Sequence, residues 1–379
     1  MGPTENRHGP ARGKLRPTRP GVSLLKPLYG EEPFLERNLA SFCAQDYAGP
    51  LEVLFGVSDP DDPAVIIVAR LRARYPDRDL RLVVDGRRWG SNGKVSNLVN
   101  LAERARHPVL VLADSDMLVG PDYLDRVVTA LEEPNVGAVT CLYRGIAVPG
   151  VWSRLAVQWI DHHFLPSVAV GLALGLARPC FGSTIALRRG TLERIGGFMA
   201  FRDRLADDYA VGEAVRALGL TVAVPRDLVL AHTCTAASFG ALMRQELRWC
   251  RTIRALDPAG FLGSAVTHPI PWATLAAFAS GFGAPAMGML GAAVASRLLL
   301  QLFVARRLGT GTKSLILGPV RDYAAFLVFV LSFWPGSIDW RGHRFALHTD
   351  GSISSPRQAS RPGFAGSAPK PAPPDTAGS

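Results

Sequence analysis

Between residues 21 and 235, short apolar runs rich in β-branched side chains alternate with segments of helical periodicity. The runs at 22–25, 51–57, 80–84, 108–113 and 136–142 read as strands. Residues 33–44, the segment opening at Pro63, residues 95–105 and the segment after Pro121 read as helices. Pro63 suits a first helical position, with Asp61 or Asp62 as the cap. Strands alternating with helices predict an α/β fold with a mostly parallel sheet and right-handed crossovers. Ligands in such sheets bind beyond the carboxyl ends of the strands. Asp59, Asp85 and Asp114 fall at those ends, so the topology alone gathers them along one rim.

The pattern changes after residue 268. No residue from 269 to 296 is charged, which exceeds the ~20 apolar residues that cross a bilayer core. Gly281, Gly283 and Pro285 divide this stretch into a hairpin of two short passes. A further apolar run, 298–305, precedes Arg306, Arg307 and Lys313. Residues 314–338 are apolar apart from Arg321 and Asp322, which either pair with each other or lie near an interface. Trp272, Trp334 and Trp340 fit an interfacial aromatic belt. The alternative is a buried helical core. The apolar stretch 164–177 is too short to span, and reads as an interfacial element, a groove wall or a core helix. The chain thus divides into a disordered basic arm (1–20), an α/β domain (21–268), C-terminal transmembrane helices (269–340) and a disordered tail (350–379) rich in Pro, Ser, Gly and Ala.

With 379 residues the chain can bury a sizeable core. A net charge of +10 calls for an anionic partner: nucleic acid, a membrane surface or an anionic substrate. The basic residues are not interleaved with aromatics, and nucleic-acid binding leaves the apolar stretches unused. The five cysteines are scattered and form no CxxC. They argue against a zinc site or a disulfide framework and suit a reducing compartment. Arg7, Arg12, Lys14, Arg16 and Arg19 make the N-terminus a basic arm without the apolar core of a signal peptide. Such an arm either lies on anionic headgroups or stays solvated.

Several short motifs carry chemistry. Asp114-Ser115-Asp116 follows an apolar strand, and two carboxylates at this spacing can share Mg²⁺ or Mn²⁺ with substrate phosphates. A cation there neutralises charge on a departing diphosphate, although such aspartates also serve as turn residues. Asp207-Asp208-Tyr209 offers either a helix cap or a general base that takes the proton of an attacking hydroxyl. Gln245 and Arg248 share a helix face. Arg248 suits a diphosphate and Trp249 supplies a flat apolar surface, while Arg248 and Arg251 equally suit the cytoplasmic flank of a membrane helix. The turn at residues 90–97 resembles an anion cradle with Lys94. It is not a P-loop, because Val95 follows Lys94. His162 and His163 are adjacent, point to different helix faces, and are structural or interfacial.

Together Asp59, Asp114-Ser115-Asp116, Asp208 and Gln245-x-x-Arg248-Trp249 resemble the D, D, D, (Q/R)xxRW pattern of inverting glycosyltransferases with a GT-A fold. Lys26-Pro27-Leu28, Gln45-Asp46-Tyr47, Asp59-Pro60-Asp61-Asp62-Pro63-Ala64, Lys94-x-x-Asn97-Leu98 and Trp340-Arg341-Gly342 resemble the ceramide glucosyltransferase family. Residues 140–145 and 177–182 are most similar to bacterial hopanoid-biosynthesis glycosyltransferases.

The resemblance implies that Asp59 holds the uracil or ribose of a UDP-sugar and that Lys94 lies near the nucleotide. It implies that Asp114 and Asp116 bind the ribose and the metal-bound diphosphate. Asp208 becomes the base, and Gln245, Arg248 and Trp249 close the diphosphate and acceptor site. The implied reaction is displacement with inversion by a lipid hydroxyl. The implied location is the bacterial cytoplasmic membrane, multi-pass, with the catalytic domain facing the cytoplasm. N-acetylglucosamine transfer to a hopanoid side-chain alcohol is the expected reaction, glucose transfer to ceramide the alternative, and a non-catalytic membrane nucleotide binder a remoter one. A processive polysaccharide synthase shares the four motif positions but normally needs more transmembrane segments. Relatives usually begin with a transmembrane helix, whereas here a polar arm precedes residue 22. Either translation starts upstream or the anchor is C-terminal alone.

Overall fold

The computed structural model describes residues 19–310 and 316–354, apart from 335, 337, 341, 342, 349 and 350. The expectations for residues 1–18, Lys313, Arg341-Gly342 and the tail from 355 lie outside the described residues.

The strands of the two sheets that position the site are β1 (Val22–Pro27), β2 (Leu51–Val57), β3 (Asp79–Val84), β4 (Val109–Leu112), β5 (Met117–Leu118), β6 (Val136–Val139), β7 (Leu142–Ala147), β8 (Ile185–Arg188), β9 (Thr221–Ala223) and β10 (Val229–Cys234). A seven-stranded sheet runs in the order β3-β2-β1-β4-β8-β6-β9. All its pairings are parallel except those of β8, which is antiparallel to both β4 and β6.

The period-two alternation of a strand explains the layers. Val22 and Leu24 of β1, with Val109 and Val111 of β4, face a core shared with helices Leu35–Cys43, Ala64–Arg74 and Tyr123–Glu132. Leu25, Leu110 and Leu112 face the opposite core, shared with helices Gly93–Arg104 and Asp207–Ala217. Strands covered on both faces read as unbroken apolar runs. That is why β1, β2 and β4 were legible.

Two departures matter for the site. The run at 136–142 is not one strand. Thr140 donates its N–H to Ala223 O at the end of β6, and its hydroxyl accepts the N–H of Phe181 at 2.8 Å. The chain then crosses into a second sheet, β5-β10-β7. Strand β8, four residues long and ending at Arg188, was not expected, and it gives the sheet its antiparallel member.

The apolar stretch after 268 does break at Gly281, where both Gly281 and Phe282 have positive φ. It forms helices Pro269–Ala279 and Ala284–Leu308, which pack through Ile270, Ala273 and Ala293. Among the described residues, Ala284–Leu308 alone is long and apolar enough to cross a bilayer. The second stretch yields helix Gly318–Leu331, 14 residues, shorter than the ~20 needed. Arg321 and Asp322 do not pair with each other. Consecutive helical side chains diverge by ~100°, and each finds a partner on another element. Stretch 164–177 is not a core helix. Its helix, Leu165–Ala173, buries Leu165 alone, and Val170, Leu174 and Leu176 are exposed.

Candidate active site

A cavity of about 1490 Å³ opens beyond the carboxyl ends of β1, β2 and β4. Strand β4 ends at Leu112, and the turn that follows sends Asp114 and Asp116 into it. The Asp114 N–H donates to Gly182 O at 3.1 Å, while Lys26 Nζ donates to Asp114 O at 2.7 Å. Ser115 Oγ donates to Glu32 Oε2 at 2.6 Å. The turn is therefore held from three sides.

Lys94 enters from the first turn of helix Gly93–Arg104. Asn92 caps this helix by accepting the Val95 N–H. Lys94 Nζ lies 2.7 Å from Asp114 Oδ1 and 3.6 Å from Asp207 Oδ2. Asp207 and Asp208 occupy the first turn of helix Asp207–Ala217 and do not cap it, since Ala206 holds the cap position. Asp208 accepts the Gly182 N–H at 2.8 Å and its neighbour Tyr209's N–H at 2.8 Å. Gly182 thus joins Asp114 to Asp208. A Cβ there meets Asp114 Oδ2 at 2.6 Å and Lys94 Nζ at 3.0 Å, so a side chain would displace the charged groups.

Burial opposes the charge on Lys94, but Asp114, Asp207 and Asp208 outweigh it and raise its pKa. Burial pushes Asp207 up to about 6 despite Lys94, and raises Asp208 as well. Asp116 behaves oppositely. Burial alone raises it, yet the charge and hydrogen bond of His232, with Nε2 3.1 Å from Oδ2, hold it below the usual carboxylate range.

The carboxylate pair fits a hard divalent cation. Asp116 Oδ1 is buried without a hydrogen-bond partner, and Asp114 keeps part of its carboxylate exposed to the cavity. Among the described residues no cluster of three His, Cys, Asp or Glu side chains stands ready for a metal. Two carboxylates completed by diphosphate oxygens match the usual coordination of Mg²⁺.

Gln245, Arg248 and Trp249 line the cavity from helix Phe239–Leu256, whose N-terminus Ser238 caps by accepting the Ala241 N–H. Trp249 stacks on Trp159, with centroids 5.2 Å apart, and meets His232 edge-on at 6.4 Å. Tyr143 stacks on Phe164 at 5.0 Å and crosses Phe181 at 5.9 Å. These rings form an aromatic wall beside the acidic centre.

Asp59 is placed differently from the other sequence candidates. It is exposed, its Oδ1 accepts the Asp61 N–H at 2.9 Å, and its neighbour Ser58 lines the cavity where Asp59 does not. Asp62, the alternative cap residue, accepts the Ala64 N–H. Asp85 does line the cavity. Sequence reasoning passed over Lys26, Glu32, Gly182 and His232 as site residues. Lys26 and His232 carried a signal, each being a titratable residue inside a buried apolar strand. Burial pushes Lys26 down to about 7, and its Nζ lies 3.6 Å from the centroid of the Phe42 ring.

The profile of Glycosyl transferase family 21 matches residues 4–353. Ceramide glucosyltransferase 1 of Caenorhabditis elegans is 24% identical over 360 residues, covering 91% of this chain and 75% of its own. An N-acetylglucosaminyltransferase of Rhizobium leguminosarum bv. viciae is 22% identical over 243 residues, 62% of this chain and 55% of its own. Among solved structures, the mannosyltransferase PcManGT from Pyrobaculum calidifontis, in complex with GDP-Man and Mn²⁺, shares the fold. It has a TM-score of 0.50 and 23% identity, and the match covers 84% of this chain and 88% of that one. The α/β architecture is that of a GT-A glycosyltransferase, and the chain belongs to glycosyl transferase family 21.

Proposed function

We propose that the protein moves a sugar from a UDP-sugar to the hydroxyl of a membrane lipid, with inversion at the anomeric carbon. One observation carries this reading. A single cavity is lined both by the charged groups Lys94, Asp114, Asp116 and Asp208 and by the apolar side chains Phe164, Val168, Phe261 and Phe329. Charged groups and apolar side chains lining one cavity suit a nucleotide donor and a lipid acceptor.

Asp208 takes the proton of the acceptor hydroxyl as its oxygen attacks the anomeric carbon. The bond from that carbon to the diphosphate oxygen breaks, and UDP leaves. Lys94 and Arg248 bind the diphosphate, and the N–H of Gly182 holds the Asp208 carboxylate in orientation. A divalent cation held by Asp114 and Asp116, when bound, supplies charge neutralisation on the departing diphosphate. The PcManGT complex contains Mn²⁺ and the nucleotide sugar GDP-Man. The exposed apolar faces of helix Ala284–Leu308, including Leu299 and Phe303, support insertion in a bilayer. We read the enzyme as anchored in the bacterial cytoplasmic membrane with its donor site facing the cytoplasm.

Tyr143 and residues 177–182, which carry the resemblance to hopanoid-type enzymes, line the cavity. We therefore favour N-acetylglucosamine transfer to a hopanoid side-chain alcohol. Glucose transfer to ceramide is the second reading, favoured by the ceramide glucosyltransferases of C. elegans. Membranes containing the enzyme are incubated with labelled UDP-glucose and UDP-N-acetylglucosamine against both lipids. Labelled N-acetylglucosaminyl-hopanoid is expected. Label in glucosylceramide alone moves the assignment to the second reading, and no labelled lipid from either donor overturns both.

A further inference from the structure

Two ion pairs are buried beside the cavity and take no part in the chemistry described above. Both start from helix Gly318–Leu331, at Arg321 and Asp322, which are 1% and 0% exposed. Arg321 Nη2 donates to Glu246 Oε2 at 2.7 Å, in helix Phe239–Leu256. Asp322 accepts from Arg297 Nε and Nη2, each at 2.7 Å, in helix Ala284–Leu308. Asp322 Oδ1 also meets His163 Nε2 at 2.8 Å, in the π-helical turn Ile160–Phe164. Two consecutive residues thus tie the last helix both to the helix carrying Gln245, Arg248 and Trp249 and to the wall carrying Phe164.

Glu246 follows Gln245 directly. Gln245 and Arg248 line the cavity, whereas Glu246 is 1% exposed and not part of the lining. A buried pair seldom adds net stability over apolar residues of the same size. This one is also poorly satisfied: Arg321 Nε and Nη1 and Glu246 Oε1 have no hydrogen-bond partner. Apolar side chains would fill the same space at lower desolvation cost. What charge adds is direction, because one rotation of the helix brings Glu246 to Arg321. The best-attested use of such buried polar contacts is fixing register.

We propose that Glu246 and Arg321 are positioning residues. They set the rotation and axial register of helix Phe239–Leu256, so that Gln245 and Arg248 face the donor diphosphate. This rests on the donor-site reading given above.

The test uses the full-length enzyme in membranes or detergent, with UDP affinity measured by calorimetry and steady-state kinetics measured for both substrates. The double variant Glu246→Met, Arg321→Met removes both charges together and leaves neither one buried alone. It is expected to unfold near the parental temperature, to bind UDP more weakly and to lose about tenfold to a hundredfold in donor kcat/KM, as a misplaced binding group does. The acceptor KM changes less, through Trp249 on the same helix and Phe329 on the helix of Arg321. A folded double variant with parental UDP affinity and donor kcat/KM, or one that loses equally toward both substrates, overturns the proposal. Should that variant not fold, Arg321→Lys carries the test, since it keeps the charge and loses the fork geometry. The donor KM must then rise by more than the acceptor KM, and unchanged donor parameters overturn the proposal. A parent enzyme that binds no UDP overturns the donor-site reading and this inference with it.

Discussion

Lys94 Nζ stands 2.7 Å from Asp114 Oδ1, a contact made across 20 residues of chain by the first turn of one helix and the end of one strand. It is a cation shared by three carboxylates, because Asp207 and Asp208 also act on it. Replacing Lys94 by Met leaves Asp114, Asp207 and Asp208 without that compensation. We expect kcat/KM for the donor to fall by about 10²–10³, the scale for losing a charge-stabilising donor. Steady-state kinetics at varied UDP-sugar, with folding checked by circular dichroism, measure this. A loss below tenfold would remove Lys94 from the donor site.

Asp208 must be ionised to accept a proton. Burial raises its pKa, so the basic form is present above that raised value and is lost as pH falls through it. The acid limb of kcat/KM therefore lies above the ordinary carboxylate range. Asp208→Asn abolishes this limb and lowers turnover by about 10²–10⁴, while UDP affinity persists. A pH–rate profile paired with UDP calorimetry decides it. An unaltered acid limb in the variant assigns the proton to another group.

Two carboxylates of this site were legible from patterning, because a strongly apolar strand stops at an acidic residue. Asp114 after β4 and Asp85 after β3 were legible because the strand ends are legible. Asp208, Gln245 and Arg248 emerged from a motif rather than from periodicity. His232 and Lys26 each stand as a titratable residue inside a buried apolar strand, but the strand pattern alone does not say which carboxylate such a residue faces. Gly182 was hidden because its role is a close approach of backbone to carboxylate, which leaves no pattern in one sequence. The split of 136–142 into two sheets depends on Thr140 and Phe181, 41 residues apart. Local hydrophobicity carries no record of such a contact. Arg321 and Asp322 show the same limit, since their partners Glu246 and Arg297 were distant in the chain.

Removing divalent cations with EDTA is expected to abolish transfer, and Mg²⁺ or Mn²⁺ to restore it. The structure allows a finer test. His232 Nε2 lies 3.1 Å from Asp116 Oδ2, leaving Oδ1 free of protein partners. A residue that orients a metal-binding carboxylate typically contributes ~10–100-fold in metal affinity. His232→Gln should therefore weaken Mn²⁺ binding in the presence of UDP by about that factor. Electron paramagnetic resonance of free Mn²⁺ measures it without requiring turnover. Parental affinity in the variant would show that Asp116 needs no such support.

The last prediction concerns the scaffold under Lys94. Gly56 lies in β2, and Asn97, three residues after Lys94 on the same helix, donates its side-chain N–H to Gly56 O at 2.8 Å. A Cβ at Gly56 runs into the Asn97 carboxamide and meets Leu101 at 2.9 Å. Leu101 cannot retreat easily, being fully buried, and Asn97 moves only by giving up its hydrogen bond to Gly56 O. The strand sits in the middle of a parallel stack, with β1 on one side and β3 on the other. Gly56→Ala must therefore push helix Gly93–Arg104 away from the sheet. Overpacking of this kind costs about 1–3 kcal/mol. Because Lys94 rides on the displaced helix, the donor KM should rise in step with the drop in unfolding temperature. Asn97→Ala in the same background opens the space that the new methyl needs, and should recover part of both. If Gly56→Ala lowers stability but leaves the donor KM untouched, the position of Lys94 is set by the Asn92 cap rather than by the packing of the helix on β2.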